Sequence, residues 1–227
     1  TISAGSTTGT ASFTPTDDAS DPVYEENETA TVAISAVSGG GATENGSQSV
    51  TLTITENESA PTVTLAASAS SIIENSGSAV TLTATLSGKV DEAVTVSIST
   101  AGTGTEGTDY ATISDITISA GSTTGTTSFT PSDDNIYEGN ETGIAAISGV
   151  SGGGATESGS QSVTLTITEN ESTPTVILAT SATSIAENAG SSLTLTATLS
   201  GPTDENVTVS ISTAGTGTEG TDYGTIS

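Results

Sequence analysis

The chain has 227 residues, enough for one large or two ordinary domains, and is strongly acidic, with 27 Asp and Glu, one Lys or Arg, no His and a formal net charge of −26. This charge excludes nucleic acids as partners, because no basic surface can neutralise their phosphates, and it disfavours anionic membrane surfaces. The absence of Cys excludes disulfides and thiolate metal sites, and the absence of His removes the commonest general base of enzymes.

The sequence repeats itself along the chain. Residues 1–10 return unchanged as residues 117–126, and after a short insertion in the first copy Tyr24 pairs with Tyr137, an offset of 113. The same offset relates Glu56 to Glu169. A period this long indicates tandem domains rather than a solenoid of small units.

The repeat boundaries follow from the strand pattern. Strand-like alternation ends at Thr55 and again at Thr168, and each end is followed by Glu-Asn-Glu-Ser and then a proline, Pro61 or Pro174. Residues 1–60 are therefore predicted to be the C-terminal half of one repeat, 61–173 a complete repeat and 174–227 the N-terminal half of a third. Two interpretations stay open: a window from a longer repetitive polypeptide, or half-domains that complete each other between chains and so polymerise.

The complete repeat shows a hydrophobic period of two, which is typical of half-buried strands. Glycine and asparagine clusters separate the runs, and none has helical spacing. About seven strands in roughly 110 residues predict an all-β, immunoglobulin-like antiparallel sandwich. In chain order the runs are Val63 and Leu65; Val80, Leu82, Ala84 and Leu86; Val94, Val96 and Ile98; Ile116 and Ile118; the segment at Phe129; Ile144 to Ile147; and Val163, Leu165 and Ile167.

Acidic residues gather at the ends of these runs. The segment 132–141 holds four carboxylates, and it recurs upstream around residues 16–28. Crowded carboxylates raise each other's pKa unless a cation intervenes, and this chain has almost no cationic side chain to supply one. Since alternate turns of a sandwich lie at the same pole, these acids can converge on a hard cation, and calcium is the leading candidate.

Four elements resemble one known family when taken together. They are Glu-Gly-Thr-Asp-Tyr at 106–110, Ile-Ser-Ala-Gly-Ser at 118–122, Phe-Thr-Pro at 129–131 and Asp-Asp-Asn-Ile-Tyr-Glu-Gly-Asn-Glu at 133–141. The combination resembles the Calx-beta family, the calcium-binding sandwich modules of sodium–calcium exchangers, an integrin subunit and many large bacterial surface proteins. The resemblance covers essentially the whole repeat and implies tandem Calx-beta-like β-sandwiches.

The resemblance also implies a set of calcium ligands, carried over by position. One departure is that the last element reads Glu169-Asn170-Glu171 where the family often has a run of Asp, so the number of ions is open. The back fragment lacks its Asp-Asp loop and is expected to bind poorly on its own. In the complete repeat the implied ligands are Glu74, Asp109, Asp133, Asp134, the carbonyl of Ile136, Glu138, Glu141, Glu169 and Glu171; in the partial copies they are Asp17, Asp18, the carbonyl of Val23, Glu25, Glu28, Glu56, Glu58, Glu187 and Asp222.

Other residues receive simpler interpretations. Each acid taken singly can be a solvated turn residue, and Glu44 and Glu106 are expected to be merely exposed. Lys89 is expected to be a lone surface charge. The Gly152–Gly154 run lacks the Lys-Ser/Thr of a phosphate loop and is interpreted as a hairpin tip.

The expected function is a calcium-stabilised structural repeat that forms a stiff stalk or filament in a large secreted or cell-surface bacterial protein, such as an adhesin. Its partners would be neighbouring repeats of the same chain or identical chains in a filament, without membrane insertion. The alternatives are an adhesive module that recognises a glycan or protein through its polar loops, and a calcium sensor like the exchanger relatives. An enzyme is not expected, because paired carboxylates alone, without aromatic sugar platforms, make a poor glycosidase.

Overall fold

A computed structural model describes residues 1–226, and these contain strands but no helix. No segment of that range forms a helix with the length and apolar character needed to cross a bilayer. The strands are β1 (Val23–Tyr24), β2 (Glu28–Ala33), β3 (Ser49–Ile54), β4 (Thr62–Ala67), β5 (Ser71–Ile73), β6 (Val80–Leu86), β7 (Lys89–Val90), β8 (Val94–Gly102), β9 (Ile116–Ile118), β10 (Thr124–Phe129), β11 (Glu141–Ser151), β12 (Thr156–Glu157), β13 (Ser162–Thr168), β14 (Val176–Thr180) and β15 (Leu195–Leu199).

Strands β4 to β13, apart from the short β7, build one sandwich of two sheets. The first sheet has the order β10-β6-β4-β12 and the second the order β5-β13-β11-β8-β9. All pairings within them are antiparallel except two short ones at the sheet edges, where β12 pairs with β4 and β5 with β13 in parallel. The chain changes sheets between β4 and β5. The all-β sandwich predicted from the sequence is confirmed.

The core lies between the two sheets and follows the period-two pattern. Along β6 the apolar residues Val80, Leu82, Ala84 and Leu86 are buried while their threonine neighbours face outward. Tyr110 and Phe129 stack with ring centroids 4.7 Å apart and an interplanar angle of 28°. Tyr110 therefore packs within the core, and the buried core of the described residues runs from Val63 to Ile167.

The flanking segments form smaller sheets. Strands β2 and β3 pair only with each other, as do β14 and β15. Most of their apolar side chains are exposed, and those of β14 can be compared with their counterparts in the complete copy: Val63 is 0% exposed but Val176 is 41% exposed, and Leu65 is 7% exposed but Leu178 is 55% exposed. Each flanking segment thus carries an exposed apolar face. The predicted boundaries at 60/61 and 173/174 stay predictions.

Candidate metal centre

Several acidic loops of the sandwich meet at one pole. Asp109 lies in the loop between β8 and β9, Glu138 precedes β11, Glu141 begins it, and Glu169 and Glu171 follow β13. Carboxylate oxygens within 4.8 Å of one another form three groups in the described residues: Asp109 with Glu138 and Glu141; Glu74 with Glu169 and Glu171; and, in the first copy, Asp17 with Asp18 and Glu58. The structure therefore brings together most of the acids singled out in the sequence.

Glu169 organises this pole through backbone hydrogen bonds. Its Oε2 accepts the amide of Glu138 at 2.6 Å and that of Gly139 at 2.8 Å, while its Oε1 accepts the amide of Glu171 at 2.8 Å. Burial acts to raise its pKa, but these bonds and one with the Glu171 side chain lower the pKa of Glu169 to about 2. Glu169 is thus ionised at neutral pH and ties the loop before β11 to the end of β13.

Glu74 lies against this anion and is itself almost fully buried, with 6% of its surface exposed. Burial raises its pKa to about 7, with further contributions from the charges of Glu169 and Glu171. Burying a charge is costly unless a charge of the opposite sign compensates it. No lysine or arginine of the described residues supplies that charge here, because Lys89 pairs with Asp21.

The second carboxylate group behaves in the same way. Burial, followed by the charges of Asp109 and Glu141, raises the pKa of Glu138 to about 7. The pKa of Glu141 is raised by burial and then by the charge of Asp109. Glu74, Glu138 and Glu141 therefore resist ionisation at the same pole at which the pKa of Glu169 is lowered. A divalent cation would relieve this repulsion.

Two buried oxygens test whether a cation fits. Asn170 Oδ1 and Glu171 Oε2 are buried and have no hydrogen-bond partner in the described part of the chain. Buried polar atoms are nearly always paired, so two orphaned oxygens beside Glu169 indicate a missing cationic partner. Carboxylate and amide oxygens are the donors that calcium prefers, six to eight of them at about 2.3–2.6 Å. The residues at this pole fit a calcium ion.

The first copy reproduces the hydrogen-bond network of the complete one. Glu56 Oε2 accepts the amide of Glu25 at 2.6 Å, and Glu56 Oε1 accepts that of Glu58 at 2.8 Å. The backbone bonds from Glu58 and Glu25 lower the pKa of Glu56 to about 2. A hydrogen bond with Glu56, followed by burial, raises the pKa of Glu58 to about 7. The acidic turns therefore adopt the same arrangement in both copies.

Some predicted ligands also accept hydrogen bonds from nearby backbone amides, and others lie outside the three groups. Asp134 Oδ1 accepts the amide of Ile136 at 2.6 Å, and Asp18 Oδ2 accepts that of Val23 at 2.6 Å, so both acids close turns. Asp222 likewise accepts the amide of Thr218. Within residues 1–226 the carboxylate groups do not include Asp133, Asp134, Glu25, Glu28, Glu56, Glu187 or Asp222. The carbonyls of Ile136 and Val23 stay predicted ligands.

Three interpretations of single residues were wrong. Glu106 is half-buried, and its carboxylate accepts hydrogen bonds from Thr100 Oγ1 at 2.6 Å and the amide of Ile113 at 2.9 Å. Glu44 is also half-buried and accepts the amide of Gln48. Lys89 is paired rather than alone, because its Nζ donates to Asp21 Oδ1 at 2.6 Å. Each acid closes a turn, which composition alone does not reveal.

Comparison with known proteins decides the family. The profile of the Calx-beta domain matches residues 56–171 and again 169–227, which together make up well over half of the chain. The chain belongs to the Calx-beta family. Calx-beta domains are calcium-binding β-sandwich modules and not enzymes, in agreement with the acidic pole and with the sequence prediction.

Solved structures give weaker likenesses. The apo form of the Calx CBD1 domain is 18% identical, with 48% of this chain and 99% of that domain covered and a TM-score of 0.41. CBD12 from CALX1.2 is 19% identical over 44% of this chain and 41% of that one, with a TM-score of 0.39. A two-domain protein of unknown function from Bacteroides fragilis is 10% identical over 54% of this chain and 55% of its own, with a TM-score of 0.35. A search of curated proteins gave no match.

Sequence reasoning missed one pair of acids. Asp204 contributes to the raised pKa values of Glu138 and Glu141, and Asp91 to that of Glu25. Each lies in the repeat that follows the loop it faces. The offset of 113 between Asp91 and Asp204 was readable from the sequence, but their position relative to the preceding repeat was not.

Proposed function

We propose that this Calx-beta chain is a run of calcium-stabilised structural repeats that forms a stiff stalk or filament in a large secreted or cell-surface bacterial protein of the adhesin type. One observation carries the proposal. The acidic pole of the complete repeat, with its orphaned Asn170 and Glu171 oxygens, lies where that repeat meets the next. An ion held there joins the last strand to its own loops and restricts the hinge.

The energetic need for calcium supports this role. The core is built almost entirely from aliphatic residues, and aromatic residues make up only 3% of the chain. Domains of about 110 residues with so thin a core are marginal without further stabilisation. A ligand at a hundred times its dissociation constant stabilises the folded state by about 2.7 kcal/mol per site. Calcium binding therefore contributes a large share of the free energy of unfolding of each repeat.

The proposed location outside the cell follows from the same chemistry. Extracellular calcium modules bind the ion at about 10⁻⁴–10⁻³ M, a range that suits the calcium level of an external medium. The large negative charge favours solubility and the binding of cations, and the absence of Cys is compatible with an oxidising environment. The likeness of the acidic elements to those of bacterial surface proteins points the same way.

The proposed partners are other repeats of the same kind. The exposed apolar strands β14 and β15 correspond in sequence to the buried β4 and β6, and β2 and β3 correspond to β11 and β13. In the complete repeat these two halves bury each other. A half-repeat of the same chain or of an identical chain is therefore the matching cover for each exposed face.

The experiment is a calcium titration of the whole chain. Isothermal titration calorimetry is combined with small-angle scattering, once in calcium and once in chelator. The proposal expects saturable calcium binding, a higher melting temperature and a longer, stiffer particle in calcium. Magnesium at the same ionic strength is the control. A melting temperature and a scattering profile that do not respond to chelator would contradict the proposal.

A further inference from the structure

The single cationic side chain of the sequence lies at a junction between two repeats. Lys89 Nζ donates to Asp21 Oδ1 at 2.6 Å, and the two residues are 68 positions apart, on opposite sides of the boundary predicted at 60/61. Beside this ion pair, strand β1 pairs in parallel with β7, and the amide of Asp91 donates to the carbonyl of Tyr24 at 3.3 Å. The ion pair is therefore part of a larger contact between the repeats.

The surface that receives β1 is completed by the glycine run after β11. A methyl group on Gly153 would lie 2.9 Å from Cβ of Val90, and one on Gly154 would lie 2.6 Å from Cε1 of Tyr24. The tyrosine ring therefore lies against backbone that carries no side chain, next to the strand that holds Lys89. We call this surface the docking edge; it consists of Lys89, Val90, Gly153 and Gly154.

Asp21 belongs to the three-residue insertion that distinguishes the first copy of the acidic loop from the second. In this long loop, residues 17–24, the amide of Asp21 donates to the carbonyl of Asp18 at 2.8 Å, so the insertion forms a closed turn. In the second copy the short loop, residues 133–137, carries no acid after Asp134. The long loop alone therefore offers an additional carboxylate to the repeat that follows it.

The second junction keeps the backbone contacts but lacks both charges of the ion pair. The amide of Tyr137 donates to the carbonyl of Pro202 at 3.1 Å, and the amide of Asp204 donates to the carbonyl of Tyr137 at 3.4 Å. Pro202 stands where the complete repeat has Lys89. The lysine and the additional acid are thus present together at one junction and absent together at the other. The cation occurs only opposite the loop that offers the additional acid.

We propose that the docking edge of the complete repeat selects the repeat that precedes it, by preferring a loop with an acid at the position of Asp21 to the short loop of the second copy. The inference rests on the proposed stalk of tandem repeats and adds a rule for their order. Repeats of a chain with a net charge of −26 repel each other, and Lys89 makes the additional carboxylate of the long loop a partner instead of a further source of repulsion. Because both side chains are partly exposed, the preference is about twofold to fivefold rather than absolute.

The test measures docking at the first junction by hydrogen exchange of single amides, followed by NMR in the whole chain. The amide of Asp91 is bonded across the junction, so its protection reports the ratio of docked to undocked repeats. The amide of Asp204 makes the matching bond at the second junction and is the internal control. Glu92→Gln, which removes a charge from an exposed neighbour of the docking edge, is the control variant. The test variants are Asp21→Asn, Lys89→Gln, both together, and the charge swap of Asp21→Lys with Lys89→Asp.

The proposal expects each single substitution to lower the protection of the Asp91 amide about twofold to fivefold at low ionic strength, and the double variant to lower it no further. The charge swap should restore the protection, and about 1 M salt should remove the differences, because the screening length is then about 3 Å. The Asp204 amide and Glu92→Gln should show no change. Additive effects of the two single substitutions, or a charge swap that does not restore protection, overturn the proposal. Calcium titration of the same proteins separates this result from the proposed function, since a chain that binds no calcium would contradict that function and leave the ion pair in place.

Discussion

The amide of Glu138 donates a 2.6 Å hydrogen bond to the carboxylate of Glu169, and through this bond the loop before β11 is held to the end of β13. The equivalent bond from Glu25 to Glu56 occurs in the first copy. One glutamate therefore serves as the fixed anion around which the other acids of each pole are arranged. A cation that neutralises those acids would therefore also hold the end of β13 against the loop before β11.

Replacing Glu74 should have opposite effects on the stability of the metal-free protein and of the calcium-bound protein. Replacing it with Gln removes a buried charge that lies against Glu169 and Glu171. We expect Glu74→Gln to stabilise the metal-free protein at pH 8 by on the order of 1 kcal/mol, because desolvation and repulsion are relieved. It should at the same time lose most of the stabilisation that calcium gives. Thermal melts in chelator and in calcium measure both effects.

The control for this prediction is Glu92→Gln, which removes the same charge from an exposed position outside the three carboxylate groups. It should change neither melt by much. A Glu74→Gln protein that keeps the full response to calcium would show that Glu74 is not a ligand.

The metal-free protein should become more stable as the pH falls from 8 to about 5. Glu74 and Glu138 have pKa values of about 7 in the folded protein against an ordinary value of 4.5. Between these values the folded state binds more protons than the unfolded state, so the free energy of unfolding decreases as the pH rises. The contribution is complete below pH 4.5 and is lost as the pH rises through about 7.

Below pH 4.5 the free energy of unfolding should decrease again because of Glu169. Its pKa is lowered to about 2 in the folded protein, so the stability that its ionised form contributes is lost as the pH falls from 4.5 towards that value. Denaturant titrations of protein stripped of metal on a chelating resin measure the profile. In saturating calcium the slope between pH 5 and 7 should reverse, since protons then compete with the ion. A metal-free stability that rises from pH 5 to pH 8 would contradict the prediction.

The sequence predicted the sandwich well because its core follows from alternation alone. In β6 and in β13 the residues that alternate with threonine are the buried ones. The convergence of Asp109, Glu138 and Glu141 was predictable from strand ends and from the family resemblance. The roles of Glu106 and Asp204 were not, because a hydrogen bond across a turn and a contact between repeats depend on distances that a one-dimensional pattern does not contain.

Gly143, the third residue of β11, should tolerate no side chain. A methyl group added there would lie 2.5 Å from Cε2 and 2.7 Å from Cζ of Phe129, whose ring is stacked on Tyr110. We expect Gly143→Ala to destabilise the protein by about 1–3 kcal/mol through overpacking. Gly149→Ala on the same strand meets only Ser97, 4.0 Å away, and is the matched control. Urea titrations compare the two, and equal midpoints would exclude a close-packed Phe129 at this position.

Gly154 couples the complete repeat to the one before it. A methyl group on Gly154 would lie 2.6 Å from Cε1 of Tyr24, whereas one on Gly159 would meet nothing within 4 Å. Both glycines have a positive φ, 59° and 69°, so an alanine at either position adopts a similar left-handed backbone conformation and costs about 1–2 kcal/mol of strain. The two variants should therefore lose similar amounts of sandwich stability.

Only Gly154→Ala should displace the tyrosine, because only there does the added methyl overlap the ring. Hydroxyl-radical footprinting read by mass spectrometry measures the exposure of Tyr24 directly. We expect its oxidation rate to rise in Gly154→Ala and to stay unchanged in Gly159→Ala, with the buried Tyr110 as an internal reference. If both variants oxidise Tyr24 alike, the glycine run is a hairpin tip and nothing more. If only Gly154→Ala raises the oxidation rate of Tyr24, the glycine run is the surface against which the preceding repeat packs.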